Sequence, residues 1–362
     1  MHPRHTNHDA PASASKKFYP SLTGLPPLPA INWSAVHQKA PQLGTTPAGE
    51  LPQADLVVIT WAESEFAALE HVFVQSGQAM PYSAAATSTW PGWIKYDKDL
   101  PPHPNASDWT FWGYYRLVKI GTKDVLLFKS NTHLDWPGQT ILAEMIVRIC
   151  QVVKPSLILS IGTAGGCRLT DRLGTVNVVN AATMYSSTQP SSKWPTYRNA
   201  YSPAWNIVGA PGFASLLCNI PATAANLQTL AHEFNTFYGT SYPLGTLSAD
   251  NLDTPDNPPA INNLTPQHTA LLTASTFVVG TTSGGFANYA VIEMDDAVIA
   301  QVCLGKQVAF GFVRNVSDPA QNAALPPAVQ ANWGGAVYDV FGLYTSYNGA
   351  LAAWAVIAAM SA

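Results

Sequence analysis

The stretch that decides the reading is residues 290–320, AVIEMDDAVIAQVCLGKQVAFGFVRNVSDPA. It opens on an acidic group around a methionine, Glu293-Met294-Asp295, with Asp296 directly after. Val298, Ile299, Val302 and Cys303 then recur at helical spacing, and 308–313 is an apolar run of strand length. That run leads into Arg314, Asn315 and the pair Ser317-Asp318, followed by Pro319. Carboxylates at the start of a helix and just past the end of a buried strand lie where an α/β fold places its chemistry.

The flanking sequence repeats this alternation. Residues 55–60 (DLVVIT) form an apolar, β-branched strand, and Phe66, Leu69, Val72 and Phe73 follow at helical spacing. Glu65 falls in the first turn of that helix, where the helix dipole favours an anion. Strands are expected at 124–129, 155–161, 174–182 and 275–282, and helices at 139–152, 223–237 and 335–360. The strand at 155–161 runs into GTAGG, 162–166, read as a loop in which glycines let the backbone approach a ligand and Thr163 adds a hydroxyl. Taken alone, GTAGG also reads as a tight turn. Buried strands alternating with helices indicate an α/β fold with both sheet faces covered, its strand tips at 60, 161, 282 and 313 leading into polar loops.

Three regions fall outside this alternation. Residues 1–53 are rich in Pro, Ala and Ser and read as a surface tail, with His2, His5 and His8 in its mobile part. Residues 79–115 carry Trp90, Trp93, Trp109, Trp112, Tyr114 and Tyr115 and read as an elaborated loop entering a hairpin strand. Residues 185–265 read as an insertion or lid, with His232 and Glu233 on its helix and no partner in view. The domain proper is therefore 54–362.

Composition sets the remaining bounds. At 362 residues, 47% hydrophobic and 11% charged, the chain is globular and buries a large core. The formal net charge of −4, without a Lys/Arg cluster, argues against a nucleic-acid backbone as partner. Cys150, Cys167, Cys218 and Cys303 fit neither a metal motif nor a disulfide framework and read as small buried hydrophobes of a reducing compartment. The N-terminus has no apolar signal region and the apolar 350–360 run is too short to span a bilayer, so no membrane partner and a cytoplasmic location are expected.

Four segments together resemble the nucleoside phosphorylase and nucleosidase superfamily, and within it the methylthioadenosine/S-adenosylhomocysteine nucleosidases: the strand–turn–Glu65 unit, GTAGG, EMD at 293–295 with its helix, and FVRNVSD at 312–318. The resemblance covers about 55–183 and 275–362. It implies a three-layer αβα sandwich around a central mixed β-sheet, with loop insertions. It also implies cleavage of a nucleoside N-glycosidic bond, no cofactor, and a homo-oligomer. Asp318 would protonate the purine leaving group with Ser317 orienting it, and Glu65 would position the attacking water. Met294 and Asp295 of the Glu293 triplet would bind the ribose. Thr163, Ala164 and Gly165 would lie near the nucleophile, and Phe286 would stack on the base. Cleavage builds positive charge on the sugar and negative charge on the base, so an acid at one end and a base at the other suit the reaction.

The sequence also departs from the family. Asp295 stands where Glu is usual, and Asp296 where a small residue is common. Ser160 stands where one phosphorylase branch has a phosphate-holding Arg, and the bulky 131–136 segment replaces a glycine-rich one. The last two favour water over phosphate as acceptor, leaving a phosphorylase and a non-catalytic nucleoside sensor as alternatives. Each residue has a plainer reading too: Glu65 as a helix-start carboxylate, Asp318 as a loop cap, Arg314 as an ion-pair partner, Met294 as core, His133 as a loop histidine beside Asp135.

Overall fold

The computed structural model describes residues 18, 20–82, 91–102, 109–283 and 285–360. His2, His5, His8 and Trp90 lie outside them. The helices and strands, in chain order, are β1 (Gln42–Leu43), β2 (Leu56–Thr60), α1 (Glu63–Phe73), β3 (Ile94–Tyr96), β4 (Gly113–Ile120), β5 (Lys123–Ser130), α2 (Gln139–Val152), β6 (Leu157–Gly166), β7 (Val176–Val179), β8 (Ala181–Met184) and β9 (Thr196–Arg198). They continue with α3 (Ala224–Tyr238), α4 (Leu244–Leu247), β10 (Ile261–Asn263), β11 (Leu271–Thr273), β12 (Val291–Glu293), α5 (Asp296–Lys306), β13 (Ala309–Asp318) and α6 (Pro327–Ala359).

The strands form one mixed sheet. Its centre is parallel, with β5, β2, β6 and β13 side by side, while β4 pairs antiparallel with β5 and β7 with β13. Strand residues alternate between faces, and the core divides accordingly. Val58, Leu159 and Val313 face one layer with Leu69 of α1 and Tyr344 and Trp354 of α6. Val57, Ile158, Phe310 and Phe312 face the other, with Ile146 of α2 and Ile299 of α5. This is a three-layer αβα sandwich around a mixed sheet. Among the described residues no helix is long and apolar enough to cross a membrane. All four cysteines are free and buried.

Several segments depart from the expectations, each for a non-local reason. GTAGG is not a loop: β6 continues through Gly166, because β13 pairs alongside it as far as Gly165. β13 likewise carries Arg314–Asp318 although most of these side chains are polar, with β7 beside it as far as Asn315 and β6 as far as Asp318. The 174–182 strand is broken at Asn180, whose amide side chain bonds Tyr201 O and His268 Nδ1. The strand expected at 275–282 does not form. The ladder ends at Leu271–Thr273, and the chain then turns through Gly280 at φ +74° and is tied by single bonds, Gly280 N to Gln330 Oε1 and Thr282 N to Gln321 O. The C-terminal helix starts at Pro327, a residue preorganised for the first helical position, well before the 335 expected.

The segments read as tail and insertion both reach the core. Leu28, Ile31, Trp33 and Val36 are buried in the α1–α6 layer, and the Trp33 and Trp354 rings lie 4.2 Å apart. From 185–265, Phe213, Leu227, Leu230 and Phe234 join the same layer, β9 extends the sheet beyond β8, and β10 pairs with β7. Trp33→Ala is therefore expected to cost about 3–5 kcal/mol, the penalty for emptying a large aromatic site. Urea unfolding checks this, and a loss below about 1 kcal/mol would return the segment to a loosely held tail.

Candidate functional site

The tip of β6 organises the site. β2 pairs with β6 only as far as Ser160, and β12 joins β6 at Gly165. The gap is closed by a side chain. Glu65, in the first turn of α1, puts Oε1 against Thr163 N (2.7 Å) and Thr163 Oγ1 (2.6 Å). Its Oε2 accepts from Trp61 N and Ala62 N, both at 2.8 Å, and from Thr60 Oγ1 at 3.3 Å. Reaching back to the N-cap backbone is the usual office of a third-position Glu. Here the same carboxylate also replaces a sheet partner. Five donors saturate its lone pairs.

Asp318 lies on the opposite edge of β6, paired with Gly165. Two residues, roughly 7 Å of extended chain, separate its position along β6 from that of Glu65 at Thr163. Its Oδ1 accepts from Ser317 Oγ at 2.9 Å, and Gln321 Nε2 is 3.5 Å from Oδ2. Burial pushes the Asp318 carboxyl up to about 7, against the lowering effect of the Ser317 and Gln321 hydrogen bonds, and the Asp253 carboxylate adds to the rise. A Cβ at Gly165 would sit 3.0 Å from Asp318 Oδ2, so a residue without a side chain is what leaves room for the acid.

A cavity of about 40 Å³ opens beside the acid, lined by Gly165, Phe277, Met294, Thr281, Gln321 and Asp318 among others. Gln321 Oε1 is buried there with no hydrogen-bond partner among the described residues. Met294 and Glu293 line it; Phe286 does not. Phe286 packs instead with Cys167, Leu272, Ala274 and Ile292. The aromatic ring at the cavity is Phe277. It follows the tip of β11 within the run read as a strand, and as the only aromatic of that run it carried the available signal.

The acidic triplet divides its work differently from the expectation. Asp295 is buried, its Oδ1 accepts from Leu134 N at 2.9 Å, and His133 Nδ1 lies 3.2 Å from Oδ2. The carboxylate expected to bind ribose thus anchors the 131–136 segment. Glu293 accepts from Asp295 N at 2.6 Å and Asp296 N at 3.0 Å and takes the Thr273 hydroxyl, so it satisfies the open N–H groups that begin α5. Burial, reinforced by the Asp296 charge and opposed by Arg314, pushes Glu293 up to about 8.

Arg314, wholly buried, is gripped from several sides. It makes two parallel bonds to Asp296, at 2.7 and 2.5 Å, and its Nη2 meets Ser160 Oγ at 2.9 Å and Glu293 Oε2 at 3.1 Å. Ser160 also accepts from Trp61 Nε1 at 3.1 Å. The plainer reading of Arg314 as an ion-pair partner holds, and Asp296 is what engages it. A second cation, Lys129, stands opposite Thr60 at the end of β5. Burial brings its ammonium down to about 8, against the upward pull of Glu65, Glu63 and Asp295.

No protein-family model matches the chain, and no curated protein matches it. Solved structures do. The chain is similar to the 5′-methylthioadenosine/S-adenosylhomocysteine nucleosidase of Neisseria meningitidis in complex with methylthio-immucillin-A, at 15% identity over 84% of this chain and 98% of that one, with a TM-score of 0.43. It is similar to the futalosine hydrolase of Helicobacter pylori at 9% identity over 83% and 97% of the two chains, TM-score 0.43. It is also similar to the S. pneumoniae 5′-methylthioadenosine/S-adenosylhomocysteine nucleosidase with a transition-state inhibitor, at 13% identity over 84% and 99%, TM-score 0.45.

Proposed function

We propose that the protein hydrolyses the N-glycosidic bond of a purine nucleoside or a close relative. The observation that carries the reading is Asp318: a buried carboxyl that keeps its proton to about pH 7, beside a cavity floored by a glycine and faced by Phe277. Such a group donates a proton to a leaving base, and the electrons of the broken C–N bond stay with that base. Phe277 offers a ring for the base and Met294 an apolar contact for the sugar. Glu65 acts on the water through Thr163: the hydroxyl already donates to the carboxylate, so its oxygen is free to accept from water, and the fixed anion steadies the positive charge that builds on the sugar. The cavity is well below the ~300 Å³ at which ligand pockets begin, so a nucleoside enters only as the cavity wall opens.

Water is favoured over phosphate because Arg314 is already balanced by Asp296 and Ser160 is already bonded. The observation on the other side is Lys129, a cation acting at the Glu65 end of the site, and it keeps a phosphorylase as the second reading. Base release from a panel of purine nucleosides, with and without phosphate, separates the two. Release at equal rates in both buffers is the expected result. Strict phosphate dependence would establish phosphorolysis, and binding without release would establish a sensor.

Thr163→Val is expected to lower kcat by at least ~10²-fold, since it breaks the link between water and carboxylate. Unchanged turnover in single-turnover assays would remove Thr163 from the mechanism. The activity of a homo-oligomer in the cytoplasm is part of the proposal and is read by sizing the active species and by fractionating cells.

A further inference from the structure

One buried carboxyl has no part in the chemistry above. Asp253 is 2% exposed and belongs to the 185–265 region. It accepts from Trp333 Nε1 at 2.8 Å. The neighbouring residue on α6, Gly334, abuts the acid: a Cβ there would lie 3.4 Å from Asp318 Cβ and 2.8 Å from Gln321 Nε2. Consecutive residues of one helix thus touch both aspartates. Around them the inserted segment is locked to the strand that ends in the acid. Ala249 and Leu252 pack on Ala320, Asn322 Nδ2 donates to Thr246 O at 2.9 Å, and Leu173 N donates to Leu252 O at 3.2 Å.

We propose that Asp253 is a positioning residue for Asp318: across the Trp333–Gly334 step of α6, the inserted segment sets a second buried carboxylate behind the acid. Two carboxyl groups in one dry region do not both ionise readily. Burial raises both, against hydrogen bonds from Ser248 and Trp333 at Asp253 and from Ser317 and Gln321 at Asp318; Asp253 rises to about 6, while Asp318, raised also by the Asp253 charge, rises to about 7. Asp253 is therefore the anion and Asp318 keeps the proton that the reaction uses. The other titratable groups around Asp318 are Cys167, a thiol held well above its ordinary range by burial, and Glu293 across the cavity, so both are neutral where the pair titrates.

The proposal rests on the nucleosidase reading for its purpose, but its test does not. The Asp318 titration is followed directly by ¹³C carboxyl NMR of the ligand-free protein, with D318N identifying the signal. Asp253→Asn should move the Asp318 midpoint down by roughly 0.5–1 pH unit. Trp333→Phe, which keeps a ring but removes one of the donors that favour ionised Asp253, should move it the same way by less. If base release is found, its alkaline limb should move with the midpoint. An unmoved Asp318 midpoint in both variants, with folding confirmed by circular dichroism, overturns the proposal and leaves the hydrolytic reading intact. A shifted midpoint in a protein that cleaves no nucleoside upholds the coupling and removes the nucleosidase.

Discussion

Asp318→Asn is expected to lower kcat for base release by about 10²–10⁴-fold, the usual share of a general acid. The amide has nearly the same shape, still accepts from Ser317 Oγ, and sits in the same cavity wall. What it loses is an acidic proton, so KM should change far less than kcat. The pH dependence follows from the raised value of about 7. The protonated form is the active one, so kcat should be flat below pH 7 and fall about tenfold per unit well above it. Stability runs in the same direction. A carboxyl whose folded value lies above its ordinary 3.8 binds protons more tightly in the folded state, so its contribution is complete below pH 4 and is lost as pH rises through about 7. Asp318→Asn should therefore flatten stability between pH 4 and 7 as well as abolish turnover. Near wild-type kcat in this variant would falsify the assignment of the acid.

Arg314→Met is expected to cost about 3–5 kcal/mol of stability, because it strands a buried charge. Asp296 is fully buried, and its carboxylate is neutralised by the two bonds from Arg314. Glu293, held neutral to about 8, supplies no opposing charge at pH 7, so the cluster is balanced one to one. Removing the cation leaves Asp296 to ionise in a dry interior or to take up a proton. Removing both partners leaves neither problem. The double variant Arg314→Met, Asp296→Leu should then recover most of the loss, since apolar replacement of a whole buried pair is often neutral. Urea denaturation of the single and double variants at pH 7 measures both. A single-variant loss under 1 kcal/mol, or a double variant no better than the single, would show that the pair is not the balanced unit described.

The elements legible in the sequence were those whose hydrophobic pattern is local. The helix at 139–152 and the strand expected at 55–60, which forms over Leu56–Thr60, appear where periodicity puts them, as does the helix after the acidic triplet. Elements held by neighbours rather than by their own composition were not legible. β6 and β13 run on through glycine, threonine and charged residues because each has the other beside it. The 275–282 run is apolar enough for a strand, yet the continuous ladder of β11 stops at Thr273 and the run becomes a cavity wall. Leu28 and Trp33 lie in a segment without periodicity, and only their burial against α6 shows that they belong to the core.

The candidate site divides along the same line. The sequence by itself determined which carboxylates stand at strand and helix ends, Glu65, Glu293 and Asp318, because chain position and local hydrophobicity are written in neighbouring residues. Only the tertiary structure decided what each one does there. Asp295 is turned to His133 and Leu134, more than 150 residues away, and Arg314 is bound to Asp296 rather than left open to an anion. Asp318 takes its raised value chiefly from burial, with a smaller push from the Asp253 charge in the 185–265 region. A carboxylate's charge depends on how much water and how many other charges surround it, and that surrounding is assembled from residues distant in the chain.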